Sequence, residues 1–149
     1  PESSIPKYSG EFLLRAIPGP QDNYFDEGLT TLFESEFMVT AKADRMGYRL
    51  QGPAVVHKPN VQKSIISEPT MPGGVQIPAD GQPIILLAEQ TVGGYTKIAT
   101  VISIDLPRLA QATPGDTIRF KEVDLETAHS LFREHQQRLE QIEDILSSQ

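Results

Sequence analysis

The sequence predicts a mainly β domain with short helices, closed by one long C-terminal α-helix, on three observations. Twelve prolines and 11 glycines spread through 149 residues call for many short elements joined by defined turns, which a helical bundle does not need. Apolar or β-branched runs of strand length recur between those turns, the clearest being Ile84 to Ala88. From Asp124 the period changes, with Leu125, Ala128, Phe132, His135, Leu139, Ile142 and Leu146 stepping by three and four alternately, the spacing of a helical stripe. The expected layout is an N-terminal extension or linker over residues 1–11, the β domain over 12–123 and the helix over 124–149. At 38% hydrophobic, the chain can bury one core of ordinary size.

The elements follow in order. Phe12 to Ile17 reads as a strand, stopped by the enforced turn Pro18-Gly19-Pro20. Asp26 to Glu34 has Leu29, Leu32 and Phe33 at helical spacing and acids in its first turn, where the helix dipole favours them. Phe37 to Thr40 and Tyr48 to Leu50 are strands around Asp44-Arg45-Met46-Gly47. Ser64 to Ser67 and Val75 to Ile77 are two more, divided by Met71-Pro72-Gly73-Gly74. Ile84 to Ala88 is continuously apolar, as a strand buried on both faces requires, and Lys97 to Ile104 is β-branched and buried. Leu106 to Ala112 fits a short helix begun near Asp105, and Pro114-Gly115-Asp116 turns the chain into a strand from Thr117 to Val123. Asp124 is the expected N-cap of the final helix, which at 1.5 Å per residue runs about 35 Å; it is read either as packed on its own domain with a frayed end or as projecting to meet another chain.

Composition excludes several function classes. There is no cysteine, hence no disulfide, thiolate metal site or cysteine nucleophile. A net charge of −7 argues against a nucleic-acid partner held by phosphate neutralisation. No apolar run approaches the roughly 20 residues of a membrane helix, and no signal peptide is visible, so no membrane partner and a cytoplasmic location are expected. His57, His129 and His135 do not form a metal-ligand pattern, so no metal is expected. The acidity is concentrated in residues 122–149, whereas residues 42–97 carry Lys42, Arg45, Arg49, Lys58, Lys63 and Lys97 against only four acids, a middle suited to an anionic ligand.

Candidate chemistry lies in that middle. In Gly93-Gly94-Tyr95-Thr96-Lys97, paired glycines can turn backbone N–H groups toward a carboxylate or phosphate while Lys97 supplies a point charge; a hairpin turn with positive φ explains the same pair. Glu89 ends the buried run at a rim, where it serves either as a general base or as a structural acceptor. Gln76 and Gln82 are amides beside prolines, suited to a neutral amide or lactam, or to stabilising turns. Arg45 and Arg49 offer bidentate carboxylate recognition, or an ion pair with Asp44 that fixes the loop, and Glu68 adds a carboxylate.

Four segments occur in order: Asp44 to Pro53 (DRMGYRLQGP), Ser67-Glu68, Pro72 to Pro78 with Asp80-Gly81-Gln82-Pro83, and Leu86 to Ala99 (LLAEQTVGGYTKIA). Together they resemble the second half of the allophanate hydrolase subunit 2 family, over about Phe12 to Phe120. That family includes the C subunit of 5-oxoprolinase, a kinase-inhibitor antagonist of sporulating bacilli, and part of the carboxyltransferase domain of urea amidolyase. The resemblance implies a cyclophilin-like β-barrel that works with a cyclophilin-fold partner like the family's B subunit and with the N-terminal half of its own subunit, which this sequence lacks. Homo-oligomerisation through the terminal helix is a further expectation. The implied activity is part of a complex that opens 5-oxoproline to glutamate with ATP, Glu89 and Lys97 being catalytic. Arg45, Arg49, Gln76, Gln82, Gly93, Gly94 and Tyr95 would then bind substrate or phosphate, and the isolated piece would fold without being active. Two alternatives stand beside it: carboxyl transfer from carboxybiotin to urea, and a non-catalytic regulator that sequesters a kinase inhibitor. For the first, this chain has no biotin-acceptor motif, so biotin would come from elsewhere. Pro69 and Thr96 depart from the family pattern, which often has glycine and proline there. All readings of the site expect the glycine bend and Lys97 to lie beside both arginines at the barrel mouth.

Overall fold

A computed structural model of the chain describes residues 9–87 and 92–147. Eight strands are hydrogen-bonded in the order β1-β8-β2-β3-β6-β5-β7-β4, with β1 also pairing with β7. They are β1 (Glu11–Pro18), β2 (Glu36–Val39), β3 (Gly47–Gln51), β4 (Ser64–Pro69), β5 (Gly74–Ile77), β6 (Ile84–Leu86), β7 (Val92–Val101) and β8 (Thr117–Glu122). The β1–β7 contact closes every strand but β4 into a barrel, and β4 attaches to the first half of β7. All pairs are antiparallel except β1 with β8, so the barrel is mixed.

Alternation makes the core. Phe12, Leu14 and Ala16 of β1 point inward, as do Ile118 and Phe120 of β8, while their neighbours face out. Phe37 and Phe120 meet edge to face at 6.0 Å between centroids, a favoured aromatic geometry. Between Val75↔Ala99 and Gln76↔Lys97 the register shifts, leaving Ile98 unopposed on β7. This bulge lets two successive residues, Ile98 and Ala99, both enter the core.

Three α-helices among the described residues decorate the barrel. α1 (Glu27–Glu34) lays Leu29, Leu32 and Phe33 against it beside β8. α2 (Leu106–Leu109) is a single turn behind a 3-10 turn at Ser103–Asp105. Asp105 is fully buried there and accepts from the Arg15 backbone N–H at 2.8 Å, from Nε at 3.0 Å and from Nη2 at 2.5 Å, tying β1 to this corner. α3 (Leu125–Ser147) starts where Asp124 Oδ1 accepts from the Thr127 N–H at 2.7 Å, the N-cap read from sequence.

The expected elements are present, with shifted bounds. β7 begins at Val92, earlier than expected, and ends at Val101, because Ile102 to Ile104 leave the sheet for the 3-10 turn. The reason for the early start is Gly93 and Gly94: both sit in an extended strand paired with β4, and neither is among the glycines with positive φ. The expected bend is therefore a stretch of flat strand. β6 is confined to Ile84–Leu86, and the end of its apolar run at Ala88 lies outside the described residues.

Candidate functional site

The site is built by strand register. Arg49 of β3 pairs with Ile84 of β6, Ile84 with Gln76 of β5, and Gln76 with Lys97 of β7. Paired residues project to the same face of a sheet, so these four form one rung. The adjoining rung, Tyr48, Ile85, Val75 and Ala99, belongs to the core, so the Arg49–Lys97 rung faces outward. An outward rung is normally wet. Here Ile84 is 8%, Gln76 5% and Lys97 6% exposed, although none of them is part of the core cluster. The barrel thus carries a dry polar floor on its outer face.

Lys97 is held on three sides. Its Nζ donates to Glu68 Oε1 of β4 at 2.5 Å, its N–H donates to Gln21 Oε1 at 2.8 Å, and its carbonyl accepts from the Gln21 N–H at 2.9 Å. The Lys97 ammonium, by hydrogen bond and by charge, holds the Glu68 carboxyl below its ordinary value, with help from the Gln21 side chain. Gln76 is buried as a residue, and no fully buried side-chain N or O among the described residues lacks a partner, so an amide atom of Gln76 without a protein partner reaches the surface of the floor. Gln76 Nε2 lies 2.8 Å from where a Cβ on Gly93 would stand, so Gly93 is glycine to admit that amide. Gly94 avoids the Ile65 carbonyl, 3.0 Å from its own Cβ position. Close approach, and not a turn, explains the pair.

The remaining candidates divide between two clefts. Arg49, Lys42, Gln82 and Tyr95 line one of about 800 Å³ at the end of the rung. Neither Arg49 nor Lys42 has an ion pair among the described residues. Gln82 is a clasp: its Oε1 accepts from the Gly52 N–H at 2.9 Å and its Nε2 donates to the Gly52 carbonyl at 3.2 Å, so both ends of the amide are spent on the fold. Tyr95 shares its face of β7 with Gly93 and Lys97 and is 45% exposed. Arg45 lines a separate cleft of about 720 Å³ with Asp44, Tyr48, Leu87 and Leu106. The expectation that both arginines flank Lys97 is corrected accordingly. Arg49 shares the floor about 14 Å away, three strand spacings at Cα, whereas Arg45 opens on another cleft. Asp44 spends Oδ1 on the N–H groups of Met46 at 2.9 Å and Gly47 at 3.2 Å, shaping its own loop. Glu89 lies outside the described residues.

Sequence reasoning passed over Gln21, whose only signal was its place after the Pro18-Gly19-Pro20 stop, and noted Thr96 only as a departure from the family pattern. The Thr96 hydroxyl, fully buried on the opposite face from Lys97, lies 2.7 Å from His57 Nε2. The His57 ring packs tilted against Phe25, centroids 4.4 Å apart, and burial, then the charge of Lys63, pushes its pKa down. Threonine at this position thus locks the strand behind Lys97.

Residues 1–122 match the family model described as carboxyltransferase domain, subdomain A and B. The chain belongs to the carboxyltransferase domain family. It is 38% identical over 131 residues to the C subunit of Escherichia coli 5-oxoprolinase, covering 87% of this chain and 42% of that protein. It is 40% identical over 136 residues to the corresponding protein of Haemophilus influenzae, covering 90% and 43%. The chain thus spans about two fifths of the length of these relatives. The crystal structure of Kluyveromyces lactis urea amidolyase superimposes with a TM-score of 0.78 at 23% identity, over 89% of this chain and 9% of that one, a likeness of fold. The closed mixed barrel is the architecture the family resemblance implied, and the long terminal helix is the one the period from Leu125 predicted. No helix among the described residues is long and apolar enough to cross a membrane.

Proposed function

We propose that this chain is the C-terminal barrel of a protein like the 5-oxoprolinase C subunit, part of an assembly that opens 5-oxoproline to glutamate with ATP. The amide of Gln76, on a largely buried residue and with no hydrogen-bond partner among the described residues, carries the reading. A primary amide offers donor and acceptor together, the complement of a lactam N–H and C=O, and a ligand arriving at Gln76 would meet both at the surface of a largely buried residue. Lys97, beside it on the rung, is the group placed to polarise the lactam carbonyl, and Glu68 is the counter-ion that holds it there. Arg49 meets the substrate carboxylate from the neighbouring cleft.

ATP supplies the driving force by turning a carbonyl oxygen into a leaving group. The glycine–lysine block does not fit its phosphates: Gly93 and Gly94 are extended and paired with β4, so they form no cradle of N–H groups, and the Lys97 charge is already met by Glu68. ATP is therefore not assigned to this block. A B-type cyclophilin-fold partner and the half of the subunit that precedes this barrel complete the site.

Carboxyl transfer is the second reading, supported by the description of the family model. A ureido group presents the same N–H and C=O pair to Gln76. The deciding experiment measures glutamate released from 5-oxoproline and ATP by the full-length protein assembled with its partners, beside carboxyl transfer from carboxybiotin to urea. Glutamate release that falls at least tenfold in Lys97→Ala, with the barrel still folded by circular dichroism, is the expected result. No glutamate where a reference 5-oxoprolinase is active rejects the first reading, and urea carboxylation in its place establishes the second.

A further inference from the structure

The region the proposed function leaves unused is α3. Ala128 is its one buried residue, and from Phe132 to Ser147 every residue is exposed. Along this free length Phe132, His135, Leu139, Ile142 and Leu146 keep the alternation of three and four that places them on one stripe, over about 21 Å. The large apolar members are 43–65% exposed. The family model matches residues 1–122, so its bounds end before α3 begins.

We infer that α3 is a self-association element: its stripe packs, parallel and in register, against the same stripe of a second copy of this chain. The charges beside the stripe select this occupant. With Phe132, Leu139 and Leu146 in the first core position of successive heptads, Arg138 takes the flanking position before one heptad boundary and Glu143 the flanking position five residues on. In a parallel pair those two positions face each other across the interface, so Arg138 of each copy meets Glu143 of the other, twice by symmetry. The acids Glu126, Glu134, Glu140 and Asp144 occupy outer positions, away from the seam. A basic partner helix would be drawn to that acidic back, whereas the seam itself carries one charge of each sign, the pattern of a surface complementary to itself. His135, the polar member of the stripe, weakens the pairing but disfavours shifted registers, as polar core positions do.

The test uses the 149-residue chain, which is free of cysteine. Sedimentation equilibrium is expected to show concentration-dependent association toward twice the 16.4 kDa chain mass, abolished by Leu139→Asp. Leu139 is exposed, so the barrel of that variant keeps its circular dichroism and melting curve. Ile142→Cys, a single thiol on the stripe, is expected to give a disulfide-linked dimer under mild oxidation, and Gln137→Cys on the outer face far less. A chain that stays monomeric at every concentration assigns the stripe to some other occupant, the preceding half of the full-length protein included, and overturns the inference. So does an association that survives Leu139→Asp. Equal cross-linking at positions 137 and 142 overturns the parallel, in-register arrangement.

Discussion

Replacing Gly93 with alanine separates a close-approach glycine from a turn glycine, and Gly73 is the internal comparison. Gly93 is extended within β7, so alanine fits its backbone. The added methyl would stand 2.8 Å from Gln76 Nε2 and 3.4 Å from Thr70 Cγ2. The nearer atom ends a flexible side chain and can swing aside. Restricting the unfolded chain contributes about 0.4–1 kcal/mol in favour of alanine, so Gly93→Ala should hold stability within about 1 kcal/mol. Gly73 has φ +91°, and its Cβ would lie 2.5 Å from the Val101 carbonyl oxygen, a fixed backbone atom. Left-handed geometry costs alanine about 1–2 kcal/mol, and relieving the overlap about 1–3 more, so Gly73→Ala should lose about 2–5 kcal/mol. Urea unfolding at constant slope reads both. Turnover by the assembled enzyme should fall at least tenfold in Gly93→Ala, because the displaced Gln76 no longer presents its amide. Equal destabilisation of the two variants would show that Gly93 is a turn residue after all, and full turnover in Gly93→Ala would remove Gln76 from the site.

Two further outcomes follow from the ion pairs. Lys97 holds the Glu68 carboxyl below its ordinary 4.5, so the pair's contribution to stability is full above the carboxylate range and is lost as pH falls through the depressed value. Stability of Glu68→Gln should therefore fall less steeply than wild type below pH 4.5, and identical acid-unfolding profiles would refute the pairing. Asp105 is fully buried and its Arg15 partner 28% exposed, so Asp105→Ala belongs at the low end of the range for breaking buried pairs, about 3 kcal/mol. That corresponds to a melting temperature lower by roughly 6–12 °C, and a drop under about 2 °C would mean that the corner is held by packing alone.

The local elements were legible because each carries its own period or stop. Leu29, Leu32 and Phe33 announce α1, Pro18-Gly19-Pro20 ends β1, and the stripe from Leu125 marks α3. The site was legible only as a set of residue types. What makes it a site is register: Arg49, Ile84, Gln76 and Lys97 come from four strands whose alignment depends on long-range pairing and on the bulge at Ile98, which no local pattern encodes. Arg45 and Arg49 look equivalent in sequence, yet only Arg49 belongs to the strand whose alternate residues reach the floor. Gln82 and Gln76 look equally free, but Gly52 engages both ends of the Gln82 amide, whereas Gln76 lies on the outward rung beside Lys97. The glycine pair misled for a related reason: glycine marks either a backbone needing positive φ or a neighbour pressing close, and only the fold tells which.

The division of charge along the rung fixes how a substrate would lie. Ile84 and Leu86, on the same outward face, are both buried, so the floor beside Gln76 is poorly hydrated and charges there interact strongly. A carboxylate approaching Lys97 has to displace Glu68, whereas Arg49 meets it with no ion pair to break. The favourable pose therefore sets a neutral amide over Gln76 and Lys97 and directs the acid toward Arg49, two strand spacings or about 10 Å away from Gln76 at Cα, a gap the long guanidinium side chain can narrow. This pose gives Arg49 and Gln76 different kinetic signatures. Arg49→Gln removes binding energy common to ground state and transition state, so KM should rise about tenfold with kcat little changed. Gln76→Ala removes an interaction at the reacting amide, so kcat should fall more than KM rises. The substrate analogue lacking its carboxylate, 2-pyrrolidinone, should be handled equally poorly by wild type and Arg49→Gln. If Arg49→Gln lowers kcat while leaving KM alone, the acid is bound elsewhere and the pose is wrong.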